Sequence, residues 1–373
     1  MNKTIKKLIL FVTAIFAISL IMPNSSKAAT PVTDESSLLS AISSVSDGET
    51  ITLQNNITVT APIVIQKEIT IDGNGYTITG SSDWTSTSGN QTMFTAQLSA
   101  GKLTLKNINL QNGPKYGVQS YDGATVILNN VSITGFKYGG VLANGGNVEV
   151  IDLHLGYNGT GANNGIEIAK GSSATNNPTL TMNGVLTSDS TENVVRVAEN
   201  DSLTEFTVTN TENTTNKIAL TEDKIVLTDK NNNVIAETAV PDKVTVNADE
   251  KKVIVTLMAN EKEIRFTVNE GTKITADLAK SHIVLEENTK IDGFYTDAGY
   301  TTEFNFDNPL NADTTIYAKI SKIETTTPET TVPETNQGQK DETPKTGVEN
   351  YLGVAVLAII LSTGTIILMK KKK

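Results

Sequence analysis

Few residues in this sequence can do chemistry, and their spacing does not assemble a familiar catalytic set. The chain has two histidines and no cysteine, so it lacks a thiolate nucleophile and a cysteine metal site. His154 and His282 lie far apart, and no Ser-His-Asp set accompanies either one. Asp152 and His154 share one face of a predicted strand, but a metal site would need a third ligand in register. The sequence predicts no metal and no cofactor.

Cleavage of a glycosidic bond is the chemistry that the acidic residues would suit best. It needs two facing carboxylates, which sequence spacing does not identify. The candidates are Glu149, Glu167, Asp189 and Glu192. Arg196 is the one arginine near them, and its position within its strand predicts a solvated row rather than a catalytic base. Its equivalents in earlier strands are Gln119, Leu142 and Glu167. Trp84 could stack on a sugar or plug a loop. Because no catalytic set is apparent, the sequence favours a non-enzymatic protein and leaves an enzyme open.

A repeat of short strands organises the region that carries these residues. Four segments of alternating apolar residues begin at Leu103, Val126, Val148 and Leu180. The first three start 23 and 22 residues apart, and an apparent insertion at 171–178 lengthens the fourth interval to 32. A second strand follows each segment, at 116–120, 139–143, 164–168 and 193–197. This period predicts a solenoid of β-strands, because helical repeats are longer and lack β-branched alternation.

One register within the repeat carries amide and carboxylate side chains. These residues are Asn55, Asn107, Asn130 and Asp152, with Gly73 and Gly184 at the same slot. Asn tolerates left-handed backbone and can bond the neighbouring coil. The row is therefore predicted to be a structural ladder at a bend.

The N-terminal part of the repeat resembles pectin-lyase-like β-helix proteins. A short amphipathic helix at 36–44 would cap the open end of the solenoid, with Leu38, Leu39, Ile42 and Val45 on one face. Segments 48–53 and 69–80 follow it in the order typical of that family. The resemblance implies an all-β chain with a right-handed parallel β-helix over 29–215. It does not imply one activity, since the fold hosts lyases, hydrolases and adhesins.

The C-terminal half changes character. Residues 216–260 lose the repeat and are predicted to form a small antiparallel β segment. Residues 261–322 end in the strands 291–297 and 314–320, and they resemble the Listeria–Bacteroides repeat, a small β-grasp-like module. Phe294 and Ile320 stand where that family usually has tryptophan. Residues 323–342 are rich in Thr, Pro and Glu and are predicted to be a disordered linker.

The last segment, 343–373, resembles the cell-wall sorting signal of Gram-positive surface proteins. Its pentapeptide is Thr343, Pro344, Lys345, Thr346 and Gly347. An uncharged apolar run at 351–369 is long enough to span a membrane transiently, and four lysines follow it. The resemblance implies that a sortase cuts after Thr346 and joins it covalently to peptidoglycan. Thr343 stands where the family usually has Leu, which leaves the sortase class open.

The N-terminus predicts export. Basic residues precede an apolar run, and small residues surround a predicted cleavage between Ala28 and Ala29, so 1–28 is interpreted as a signal peptide. Removing both processed ends leaves 22 basic and 40 acidic groups in 29–346, a net charge of −18. Such a chain should repel nucleic acid.

These features together predict a secreted protein anchored to the cell wall. Its β-helix would serve adhesion to, or interaction with, a host protein or glycan whose identity the sequence does not give. The alternative is a β-helix polysaccharide lyase or glycoside hydrolase acting on extracellular glycans.

Overall fold

The computed structural model describes residues 31–158, 164–190, 192–212, 214–249 and 251–323. The predicted signal peptide, the sorting signal and all but the first residue of the linker lie outside these residues. None of the described helices is long and apolar enough to cross a membrane.

Two parallel sheets form the N-terminal two thirds of the described chain, and the chain passes back and forth between them, with one or two strands in the first sheet before each strand in the second. The first sheet contains β1 Thr50–Thr52, β2 Ile57–Val59, β4 Glu68–Asp72, β5 Thr77–Gly80, β7 Lys102–Gly113, β9 Thr125–Phe136, β11 Asn147–Leu155, β13 Thr179–Ser188, β15 Glu205–Asn210 and β19 Thr245–Ala248. The second contains β3 Ile63–Ile65, β6 Phe94–Gln97, β8 Tyr116–Tyr121, β10 Gly139–Asn144, β12 Asn164–Ala169 and β14 Val195–Val197. This winding is consistent with the predicted parallel β-helix and is called the solenoid below.

The register of the solenoid confirms the predicted repeat. Leu103 pairs with Val126, Val126 with Val148, and Val148 with Leu180. Each of these side chains is at most 1% exposed. Val and Leu alternate with polar residues, so one face of each strand enters the core and stacks on its equivalent one coil away.

Both ends of the solenoid are covered. Helix α1 (Glu35–Ser44) begins with a capping box between Asp34 and Ser37, and it buries Leu38 and Ile42 in the solenoid core. Leu39, predicted for the same face, is 45% exposed. At the other end lies an antiparallel sheet of β16 Lys217–Leu220, β17 Lys224–Thr228 and β18 Val234–Ala239. Its apolar side chains Ile218, Ile225 and Leu227 join the same core.

A separate core holds the C-terminal module. Its mixed sheet has the order β21-β20-β23-β22, formed by β20 Lys252–Ala259, β21 Lys262–Asn269, β22 Thr289–Tyr295 and β23 Thr314–Lys322. The central pair β20 and β23 is parallel, and helix α2 (Ala276–Ser281) lies in the crossover between β21 and β22. Residues 216–260 are thus distributed over three sheets, because β19 continues the solenoid beside β15 and β20 opens the module.

The predicted ladder is present over part of its length. Asn107 Nδ2 donates to Asp72 Oδ1 at 3.2 Å, and Asn130 Nδ2 donates to Asn107 Oδ1 at 2.9 Å. Both asparagines have positive φ, 51° and 56°. Asn55 instead bonds the backbone N–H of the next residue, and Asp152 lies at a β-bulge, so neither continues the row.

Candidate ligand-binding edge

The candidate site lies along one corner of the solenoid, where coils turn from the first sheet to the second. Three successive turns stack there, formed by residues 113–116, 135–138 and 156–158, and we call this corner the tyrosine edge. Tyr138 N donates to Lys115 O at 2.9 Å, and Gly135 N donates to Tyr157 O at 2.9 Å. These backbone bonds fix the spacing of the turns, so a tyrosine from each turn is presented on the same corner.

Tyr116 anchors the edge to the face of the second sheet. Its hydroxyl donates to Glu167 Oε2 at 2.8 Å, two coils along the solenoid. Gly139 of the intervening coil is in register with Tyr116 and has no side chain to obstruct this path. Arg196 Nη1 lies 3.4 Å from the same carboxylate oxygen. Tyr116, Glu167 and Arg196 form what we call the glutamate cluster.

Burial restricts Tyr116 and Glu167 and keeps the Tyr116 hydroxyl protonated. Glu167 is 8% exposed, and a buried carboxylate needs charged or hydrogen-bonding partners. Burial, followed by the charge of Glu167, strongly raises the pKa of the Tyr116 hydroxyl. That hydroxyl therefore stays protonated and remains a donor to Glu167 throughout the physiological pH range.

Tyr138 and Tyr157 carry the aromatic surface of the edge outward. Tyr138 packs edge-to-face on Tyr116, with ring centroids 6.1 Å apart and planes at 88°. Lys115 Nζ lies 5.7 Å from the centroid of the Tyr138 ring, and Lys115 also donates to Gly89 O at 2.6 Å. Tyr138 is 40% exposed and Tyr157 is 66% exposed. The Tyr138 ring is thus held by Tyr116 and Lys115, and both Tyr138 and Tyr157 are accessible to a ligand.

A cleft of about 510 Å³ opens beside this edge. Its polar lining comes from hydroxyl and amide side chains, namely Thr79, Ser81, Ser82, Thr85 and Asn112. Trp84 forms part of the wall, is 8% exposed, and donates from Nε1 to Gln91 Oε1 at 2.6 Å. Trp84 is therefore mainly a plug, the second of its two predicted roles. Lys137 lies at the rim and is exposed.

The predicted solvated row around Arg196 is wrong for two of its members. Gln119 and Glu167 are each 8% exposed, although they alternate with inward side chains. Thr92 Oγ1 donates to Gln119 Oε1 at 3.3 Å, and Tyr116 lies over Glu167. Side chains from the turns fold back over the second sheet, which strand alternation alone does not reveal.

The other candidate residues do not converge on this cluster. Glu149 accepts a bond from Asn183 on the first sheet. His154 Nδ1 lies 3.0 Å from Thr187 Oγ1, and its Nε2 lies 3.6 Å from Asp189 Oδ1. Glu192 lines a different opening, beside Arg265 of the C-terminal module. Among the described residues, no group of three or more His, Asp or Glu side chains could hold a metal ion.

Sequence reasoning did not single out the tyrosine edge, although the sequence carries a signal for it. The triplet Lys-Tyr-Gly occurs at 115–117 and again at 137–139, one coil later. A repeated polar-aromatic pair at a turn contributes nothing to the core alternation. The two triplets are offset by one residue in the solenoid register, since Tyr116 pairs with Gly139, and Tyr116 is buried whereas Tyr138 is exposed.

One comparison with known proteins bears on this region. A family model described as a pectate lyase-like adhesive domain matches residues 29–139. The match includes helix α1, the cleft and the turn that carries Tyr138. No curated protein matches the chain.

Proposed function

We propose that this chain is an adhesion-type surface protein that binds its ligand through the tyrosine edge of the solenoid. The match to a pectate lyase-like adhesive domain, on a parallel β solenoid, is the observation that carries the proposal. The tyrosine edge supports it because an exposed Tyr packed on a buried Tyr, with a partly exposed Arg nearby, has the composition of binding hot spots. Rigid side chains lose little conformational entropy on binding.

The binding role is tested with cells of a non-adherent Gram-positive host that display the full chain. We expect these cells to attach to surfaces coated with host cells or matrix, and Glu167→Ala to weaken attachment about tenfold, since it releases Tyr116 and Arg196. Glu68→Ala serves as a control that removes a glutamate from the first sheet, because among the described residues the exposed Glu68 carboxylate pairs with Lys102 alone. Equal attachment by displaying and non-displaying cells would refute the proposal.

We also propose that the chain is exported and then joined to the cell wall through Thr346. The support is sequence alone: an apolar N-terminal run, the pentapeptide 343–347, the apolar run 351–369 and the terminal lysines. Thr346→Ala should move the protein from the covalent wall fraction to the membrane or the medium, as measured by blotting of fractionated cells. Lys345→Ala, at the variable position of the pentapeptide, serves as the control. Unchanged covalent attachment in Thr346→Ala would exclude Thr346 as the attachment point.

A glycan-cleaving enzyme is the second candidate, and the glutamate cluster favours it. An acidic, a basic and a phenolic side chain converge there on one solenoid face. Incubation with neutral and acidic polysaccharides should then release reducing ends or unsaturated products, and Glu167→Gln should abolish the release. Intact polymers after long incubation with the folded protein would remove this candidate.

A further inference from the structure

We propose that the cleft beside Trp84 and the tyrosine edge together bind an uncharged polysaccharide chain. The inference rests on the proposed adhesive function and names the chemical class of its ligand. The cleft adjoins the edge at the turn 135–138, because Lys137 lines the cleft and Tyr138 is the next residue.

The polar lining of the cleft matches the hydrogen-bonding pattern of sugar hydroxyls. Ser and Thr hydroxyls donate and accept, and the Asn112 amide does both with fixed geometry. Gly80, Gly113, Pro114 and a small exposed part of Trp84 add apolar surface to the lining. Such a mixture of hydrogen-bonding groups and apolar surface suits a carbohydrate, which has both hydroxyl groups and apolar ring faces.

Exposed rings provide the second element of sugar recognition. Tyr138 and Tyr157 present ring surface on adjacent turns, and Tyr138 is fixed by its packing on Tyr116. A ring face and an apolar sugar face exclude water from each other. Because the rings lie on successive coils, a polymer would run lengthwise across the coils.

The charge of the whole chain disfavours an acidic polysaccharide. Residues 29–346 carry a net charge of −18, so a polyanion meets overall repulsion. Two lysines lie at the proposed site, Lys137 in the cleft lining and Lys115 beside Tyr138, and they offset only a small part of the charge of the whole segment. Their ammonium groups can donate to hydroxyl or ring oxygens.

The floor of the cleft is close-packed and therefore pre-formed. A Cβ on Gly113 would lie 2.7 Å from Phe136 Cε1, so the turn is held directly against the core. Phe136 is 1% exposed. A pre-formed site binds without the entropic cost of ordering its walls.

The test uses cells that display the full chain and fluorescently labelled polysaccharides: neutral glucan, mannan, galactan and xylan, with polygalacturonate and hyaluronan as acidic polymers. We expect at least one neutral polymer to bind, with little change when the salt concentration is raised. Ser82→Phe, which fills the cleft from an exposed position, and Tyr157→Ala should each weaken binding about tenfold. Lys273→Ala and Tyr300→Ala remove an exposed lysine and a partly exposed tyrosine of the C-terminal module and should leave binding unchanged.

Several results would overturn the inference while leaving the adhesive function intact. In the first, displaying cells bind none of the neutral polymers but attach to a coated surface, and treating that surface with protease abolishes the attachment. Another is binding of the acidic polymers alone with a steep salt dependence. Binding of a neutral polymer that Ser82→Phe and Tyr157→Ala both leave unchanged would place the site elsewhere. If displaying cells attach to no coated surface better than non-displaying cells, the adhesive function itself is refuted.

Discussion

Asp122 shows how one surface carboxylate can hold a whole insertion in place. Its Oδ1 accepts bonds from Thr175 N at 2.7 Å and from Asn176 N at 3.0 Å, and both side chains donate to it as well. These bonds join the turn after β8 to the loop 170–178, which lengthens one coil of the solenoid. Backbone donors from Asn176 and Thr175 lower the pKa of Asp122 to about 2.

Removal of that carboxylate should release the insertion without unfolding the solenoid. In Asp122→Ala we expect amide exchange at Thr175 and Asn176 to accelerate about tenfold, because their acceptor is gone. Hydrogen exchange followed by NMR measures this directly. Asp47→Ala is the control, since Asp47 is exposed and its side chain makes no hydrogen bond among the described residues. Unchanged protection at both amides would mean that other contacts hold the loop.

The same carboxylate predicts a pH dependence with a definite sign. The folded pKa, about 2, lies below the ordinary value of 3.8, so the contribution of Asp122 to stability is complete above pH 3.8. It is lost as the pH falls from 3.8 to about 2. In that interval the amide exchange rates of the 170–178 loop, corrected for the intrinsic effect of pH, should rise in the wild type and stay constant in Asp122→Ala.

At the residue scale, the sequence predicted the side chains whose role repeats in each coil. It missed the side chains that contact a coil two turns away. Asn107 and Asn130 were identified because a bend with left-handed backbone recurs in register. Glu167 was predicted to be solvated because strand alternation places it outward, yet Tyr116 from two coils away covers it. Contacts that skip a coil leave no period in the sequence.

At the scale of the element, the columns of stacked aliphatic side chains carry most of the solenoid's stability. Val126 is fully buried between Leu103 and Val148, whereas Val64, also in a strand, is 41% exposed. Val126→Ala should lower the free energy of unfolding by about 2 kcal/mol, through lost burial and the cavity left behind. Val64→Ala should change it by less than about 0.5 kcal/mol. Urea denaturation followed by circular dichroism measures both, and equal effects would contradict the register.

Elements whose strands repeat were predictable, and those that leave the repeat were not. The register of β7, β9, β11 and β13 follows from the spacing of their first apolar residues. The return of Thr245–Ala248 to the solenoid does not, because the intervening antiparallel sheet interrupts the period. The sequence of a short strand does not indicate which sheet it joins when strands of several sheets have similar compositions.

At the scale of the whole described chain, the antiparallel sheet at 217–239 both caps the solenoid and contacts the C-terminal module. Asn232 O accepts from Thr267 N at 2.8 Å, and Arg265 forms an ion pair with Glu237. His282 Nδ1 lies 2.9 Å from Asn233 Oδ1, and the His282 ring stacks on the Phe266 ring with centroids 3.9 Å apart. The antiparallel sheet therefore connects the solenoid to the C-terminal module, and we call this set of contacts the joint.

This joint should weaken in mild acid. Burial lowers the pKa of His282 below its ordinary 6.5, and the opposing charge of Asp229 only partly offsets that effect. The neutral ring therefore favours the folded joint, whose stability is complete above pH 6.5 and falls as the pH drops below 6.5. Between pH 7.5 and 5 we expect a lower Tm and faster protease cleavage between the solenoid and the module. In His282→Phe, which keeps an aromatic ring on Phe266, this change should be much smaller, whereas His154→Phe on the solenoid should behave like the wild type. A pH response that persists undiminished in His282→Phe would show that His282 does not cause it.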